Sequence, residues 1–159
     1  MKNSYLIFDL KNEFFAIEVK NLTEAVEMQE ITPVPETSEY IKGIINYRGD
    51  ILPVIDMNLK FNLKENSTIE DSVILVLNFM LNDKQVKLGA IVDSVTDVLE
   101  VDFKDITSLP EIGTKYNKSY VKGVIKHKGE FVILPNLEKI FAADEISIIM
   151  EVAGEKENE

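Results

Sequence analysis

The sequence predicts a mainly β protein built as two small barrels. Three observations carry that reading. A block of residues occurs twice, strand-length apolar runs alternate with turn-forming pairs, and glycines and prolines punctuate both copies at matching places.

The repeat is the strongest of the three. Tyr40-Ile41-Lys42-Gly43-Ile44-Ile45-Asn46-Tyr47-Arg48-Gly49-Asp50 returns as Tyr120-Val121-Lys122-Gly123-Val124-Ile125-Lys126-His127-Lys128-Gly129-Glu130. An upstream echo supports it: Val19 followed by Leu22-Thr23-Glu24-Ala25-Val26 matches Val92 followed by Val95-Thr96-Asp97-Val98-Leu99. Proline-containing loops follow both, at Pro33 to Pro35 and at Pro110. One domain over residues 1–153 is expected, with subdomains of about 1–66 and 67–143 that carry the same elements in the same order.

Taken in chain order, segments 4–10 and 13–19 flank the turn-prone pair Lys11-Asn12. Segments 42–48 and 50–56 meet at Arg48-Gly49-Asp50, a hairpin whose glycine accepts positive φ. Segments 72–81 and 85–92 form a third unit across Asn82-Asp83, and 121–127 and 130–135 a fourth across Lys128-Gly129-Glu130. Pro53 and Pro135 cannot donate to a ladder and are expected at an edge, a bulge or a strand end. Glu65-Asn66-Ser67-Thr68 reads as the connector between halves. Residues 144–152 fit a terminal helix begun by Asp144, and Ile146, Ile148 and Ile149 fit a strand equally well. Residues 154–159 read as a disordered tail.

Composition narrows the function. Lys+Arg at 17 against Asp+Glu at 28 gives a net charge of −11, which argues against nucleic acid or an anionic membrane as partner. The absence of cysteine removes disulfides and thiolate chemistry and suits a cytoplasmic location. The longest apolar stretch, Val73 to Leu81, is far short of the ~20 residues that cross a bilayer, so no direct membrane insertion is expected.

A search for catalysis finds little. His127 is the sole histidine, which rules out metal sites built on two imidazoles and leaves one candidate base. No phosphate-binding glycine loop, nucleophile elbow or calcium-loop spacing occurs, and the acids are scattered. No enzyme, metal or cofactor is therefore expected, and recognition remains. Arg48 stands out as a guanidinium at the tip of an apolar hairpin, able to grip a carboxylate bidentately.

Gly43-Ile44-Ile45-Asn46-Tyr47-Arg48-Gly49-Asp50-Ile51-Leu52-Pro53-Val54-Ile55-Asp56 resembles the central signature of CheW-like domains. Leu88-Gly89-Ala90-Ile91-Val92-Asp93-Ser94-Val95-Thr96-Asp97-Val98-Leu99 resembles the second signature of that family, and the likeness spans about 5–143. The resemblance implies two SH3-like five-stranded β-barrels packed side by side with short helices. It also implies a non-catalytic chemotaxis adaptor that joins the cytoplasmic tip of a chemoreceptor to the regulatory domain of the histidine kinase CheA, recruited to membrane-associated arrays.

Carried onto this sequence, the receptor-facing groove uses Leu22, Val95 and Val98 as apolar contacts. Gly89 permits close approach, and Arg48 pairs with Glu24. Kinase contacts fall on Gly43, Ile44 and Tyr47 and on their repeat partners Gly123 and Val124. Lys126-His127-Lys128 departs from Asn46-Tyr47-Arg48, so the two barrels are not interchangeable docking faces. With no receiver domain in sight, the CheV type of adaptor is not expected. Two other readings stay open: a CheW-like module of a pilus or developmental kinase pathway, and a small β-barrel enzyme or ligand-binding protein. The latter would show acids gathered around His127.

Overall fold

The computed structural model describes residues 2–35, 38–61, 63, 69–108 and 118–141. Ten strands occur among them: β1 (Lys2–Leu10), β2 (Glu13–Glu18), β3 (Leu22–Glu27), β4 (Ile41–Tyr47), β5 (Asp50–Asp56), β6 (Val73–Leu81), β7 (Lys84–Val92), β8 (Ser94–Asp102), β9 (Val121–His127) and β10 (Glu130–Pro135). Two single-turn helices, α1 (Met57–Lys60) and α2 (Leu137–Ile140), follow β5 and β10. The expected connector 65–68, Pro110, the segment 144–152 and the tail 154–159 lie outside the described residues.

All four expected hairpins form, and each turns through two consecutive residues at positive φ: Lys11 and Asn12, Arg48 and Gly49, Asn82 and Asp83, Lys128 and Gly129. That pair of conformations is the type I′ turn, whose twist matches the right-handed twist of the strands it joins. Asn46 Oδ1 accepts the Gly49 N–H at 3.2 Å and so braces the second turn.

The strands assemble into two five-stranded sheets of order β8-β1-β2-β10-β9 and β3-β6-β7-β5-β4. The barrels therefore do not coincide with the consecutive halves expected to divide near residue 66. Each sequence half is a hairpin, a lone strand and a second hairpin, and the halves exchange their first hairpins. β1-β2 closes onto β8, β9 and β10, while β6-β7 closes onto β3, β4 and β5. Registers repeat under the exchange. Tyr5 pairs with Glu18 and Leu99, as Ile74 pairs with Ile91 and Val26. A repeat reveals equivalent units but not which copies pair, and the exchange satisfies the same pairings.

Strand alternation sorts most of the apolar side chains into three cores, and Val34 with Ile44 forms a small fourth cluster. Tyr5, Ile7, Ala16, Val101, Ile125, Val132 and Leu134 fill the first barrel. Ile45, Leu52, Val54, Ile74, Val76 and Ile91 fill the second. The opposite faces of the same strands supply Leu6, Phe8, Phe15, Ile17, Leu75, Leu77, Phe79 and others to one cluster shared between barrels. Burying a Leu, Ile or Phe is worth roughly 1.5–3 kcal/mol, so this shared cluster locks the two barrels together.

Both signatures have structural work here. Asp56 caps α1 by accepting the amides of Asn58 at 2.9 Å and Leu59 at 3.3 Å. Asn58 Nδ2 then donates to Asp93 Oδ1 at 2.7 Å, and Asp93 Oδ2 accepts the Lys11 amide at 2.8 Å. Asp93 thereby ties α1 and the first hairpin to the β7–β8 junction.

Pro135 ends β10 beside a register shift, as expected. Pro53 instead lies mid-strand in β5, which is flanked on both sides. Tyr47 and Asp50 close the turn as the hydrogen-bonded pair, and alternation then makes Ile44 and Pro53 a non-bonded pair. The parallel pairing of β5 with β7 starts only at Val54, so the missing N–H is not needed.

Candidate functional site

The turn between β4 and β5 carries the most organised exposed cluster. Glu24 on β3 presents Oε1 to two groups from that turn: the Tyr47 hydroxyl donates a hydrogen bond to it, and Arg48 Nη2 stands 2.8 Å away. The guanidinium also lies 5.2 Å from the centroid of the Tyr47 ring, within cation–π range. Arg48 remains 71% exposed, so its pairing with Glu24 orients the charge without hiding it. The hydrogen bond to Glu24 is the chief cause that raises the Tyr47 pKa above its usual value of 10, burial adds to it, and the Arg48 charge opposes both.

This cluster also joins the two outer strands of the second barrel. β3 and β4 are the outer strands of their sheet, and Glu24 with Tyr47 links one to the other. The first barrel has the equivalent arrangement on β8 and β9, where His127 Nε2 lies 3.8 Å from Asp97 Oδ2.

The expected apolar contacts divide. Leu22 and Val95 are half-buried and pack on the cluster shared by both barrels, while Val98 stands 55% exposed on β8. Between β3 and β8 runs a cleft of about 570 Å³, whose lining mixes Ala25, Val26, Met28 and Val95 with the acids Glu27, Glu70 and Asp71. Gly89 does not face a partner. It is buried in β7, and a Cβ there would stand 2.9 Å from Ile74 Cγ2, so packing inside the second barrel accounts for the glycine.

The expected kinase contacts also need correction. Gly43, Ile44, Gly123 and Val124 are buried and cannot offer side chains to a partner. Gly43 has φ +143°, and a Cβ would come within 2.0 Å of Thr32 O, because residue 32 bridges onto Ile44. Gly123 serves the matching bridge between Thr107 and Val124. These glycines let a returning loop lie against the strand. Tyr47, grouped with them from sequence, belongs with Glu24 and Arg48 instead.

A second polar cluster was not foreseen. Glu18, with 9% of its side chain exposed, pairs with Lys20 at 3.1 Å and Lys122 at 3.5 Å. Tyr5 is beside it, its pKa raised first by burial and then by the Glu18 charge. The equivalent positions of the second barrel hold Ile74 and Ile91, and that contrast becomes visible only once register aligns the barrels.

Two SH3-like barrels with exchanged hairpins, and an oriented, exposed guanidinium at one turn, form a β-barrel framework suited to a scaffold of the adaptor class. The chain belongs to the CheW-like domain family, which matches residues 4–145. It is similar to the chemotaxis protein CheW of Klebsiella aerogenes, 33% identical over 120 residues that span 76% of this chain and 70% of that one. It resembles CheW of Rhizobium meliloti at 30% identity over 112 residues, 70% of either chain. The crystal structure of the scaffolding protein TtCheW from Thermoanaerobacter tengcongensis superposes with a TM-score of 0.79 at 31% identity, covering 91% of both chains. The family and these relatives make the chain a chemotaxis scaffold protein. Among the described residues no helix is long and apolar enough to cross a membrane.

Proposed function

We propose that the chain couples the cytoplasmic tip of a chemoreceptor to the regulatory domain of the histidine kinase CheA and catalyses no reaction itself. The observation that carries this reading is the Arg48 guanidinium, held on Glu24 at the end of an outer strand yet open to solvent. The cleft between β3, the strand that carries Glu24, and β8 offers Val95 in its wall, and Val98 lies further along β8. An amphipathic helix suits such a surface, its aliphatic stripe resting on the apolar part of the cleft, Ala25, Val26, Met28 and Val95, while a carboxylate on it reaches Arg48. Such contacts are individually weak and act together in an array held at the membrane by the receptor.

A catalytic reading draws less support. His127 does have acids near it, Asp97 and Glu130. A general base, however, needs an orienting hydrogen bond, and 3.8 Å is too long for one. The test mixes purified chain, CheA and receptor signalling fragments, with and without Arg48→Glu. Receptor-dependent kinase stimulation that is lost in the folded variant agrees with the proposal, and stimulation equal in both contradicts it.

A further inference from the structure

Besides the Tyr5 and Glu18 positions, the match between the two barrels fails at the end capped by the second hairpin of each. In the second barrel the Tyr47 ring covers that end, packed against the cluster that includes Leu52 and Val76, with its hydroxyl on Glu24. The equivalent residues of the first barrel are His127 and Asp97. Register confirms the equivalence: Asp97 pairs with Ile7 as Glu24 pairs with Val76, and Val132 faces Ile125 as Leu52 faces Ile45.

The imidazole does not close the first barrel in the same way. His127 Nε2 stops 3.8 Å from Asp97 Oδ2, beyond hydrogen-bond length. Asp97 Oδ1 takes the Val98 amide at 2.9 Å, which leaves Oδ2 directed at the imidazole. A cavity of about 370 Å³ opens here, floored by Ile7, Phe14 and Val132 and rimmed by Asp97, His127 and Lys128 among others. Its size falls within the ~300–1,000 Å³ of ordinary binding pockets.

We propose that this cavity is a docking subsite for a tyrosine side chain presented by a partner protein. The second barrel shows the occupant, because there the chain fills the corresponding place with its own Tyr47. The incoming ring would lie on Ile7, Phe14 and Val132, and its hydroxyl would donate to Asp97 Oδ2. A phenol has the required form, an apolar body with a single donor at its tip. An aliphatic side chain would make no hydrogen bond to Asp97 Oδ2, and an acidic one would be repelled by Asp97 and Glu130.

The probe is 4-methylphenol, titrated into the full chain at millimolar concentration and followed by amide chemical shifts. The subsite predicts saturable shifts centred on Thr96, Asp97 and Val132, larger than those caused by toluene. His127→Tyr should fill the cavity from within, as Tyr47 does in the other barrel, and weaken the probe about tenfold or more. Asp97→Ala should weaken it severalfold and removes only a half-exposed side chain. Should His127→Tyr fail to fold, Asp97→Ala decides alone. Shifts that are absent, scattered over the surface, or undiminished in the folded variants overturn the proposal.

Discussion

Glu24 Oε1 receives both the Tyr47 hydroxyl and, at 2.8 Å, the Arg48 guanidinium. One carboxylate on β3 thus sets the direction of two consecutive residues from a turn on another strand. The arrangement implies that Tyr47 and Arg48 respond together when Glu24 is altered.

Glu24→Gln should lower the Tyr47 pKa toward the usual value of about 10, because the hydrogen bond to Glu24 is the main cause of its rise. The sign follows from linkage: a pKa raised on folding contributes stability that is full below about 10 and is lost as pH climbs through the folded value. Titration of the Tyr47 ring by NMR in both proteins measures the shift. An unchanged pKa in the variant would mean that Glu24 does not hold the phenol.

Tyr5 offers a second alkaline test. Its hydroxyl is buried without a hydrogen bond of acceptable geometry, and burial followed by the Glu18 charge raises its pKa. Ionisation beside Glu18 is unfavourable, so stability falls as pH rises above the usual tyrosine range. Tyr5→Phe should be neutral or stabilising by up to ~1 kcal/mol near pH 7, and it should flatten the alkaline loss. Urea denaturation at pH 7 and above pH 10 checks both statements.

The glycines separate by environment. Gly43→Ala places a Cβ 2.0 Å from Thr32 O at a φ of +143° and should cost about 3 kcal/mol or more. Gly49→Ala meets nothing within 4 Å, and its cost of about 1 kcal/mol comes only from the positive φ of the turn. Denaturation midpoints of the two variants should differ in that order.

Val98→Asp should leave stability within about 0.5 kcal/mol, since the side chain is 55% exposed. The same change should weaken receptor-fragment binding several-fold in a sedimentation assay. Wild-type binding by the folded variant would remove β8 from the receptor surface.

Much of this fold was legible because local chemistry fixes it. Turn pairs such as Lys11-Asn12 and Arg48-Gly49 marked all four hairpins, since few residues accept two successive positive φ angles. β3 and β8 were noticed only as an echo. On β3 burial alternates strictly, yet Glu24 takes an inward position and Ala25 an outward one, so apolar and polar types do not alternate along the sequence. The hairpin exchange was hidden because both pairings satisfy the same local pattern. At the site, the hairpin drew attention to Arg48, the family resemblance paired it with Glu24, and that contact is present. The inward role of Gly89 and the outward role of Tyr47 depend on which face of a strand meets which neighbour, and periodicity alone does not assign that face.

The most direct measurement of the central claim is receptor-dependent CheA activity reconstituted with wild-type chain, Arg48→Glu, and Arg48→Glu combined with Glu24→Arg. The account predicts that stimulation is lost in the single variant and at best partly regained in the charge-swapped one, because in the proposed complex the guanidinium, exposed in the free chain, itself meets the receptor. Full stimulation by a folded Arg48→Glu protein would contradict it.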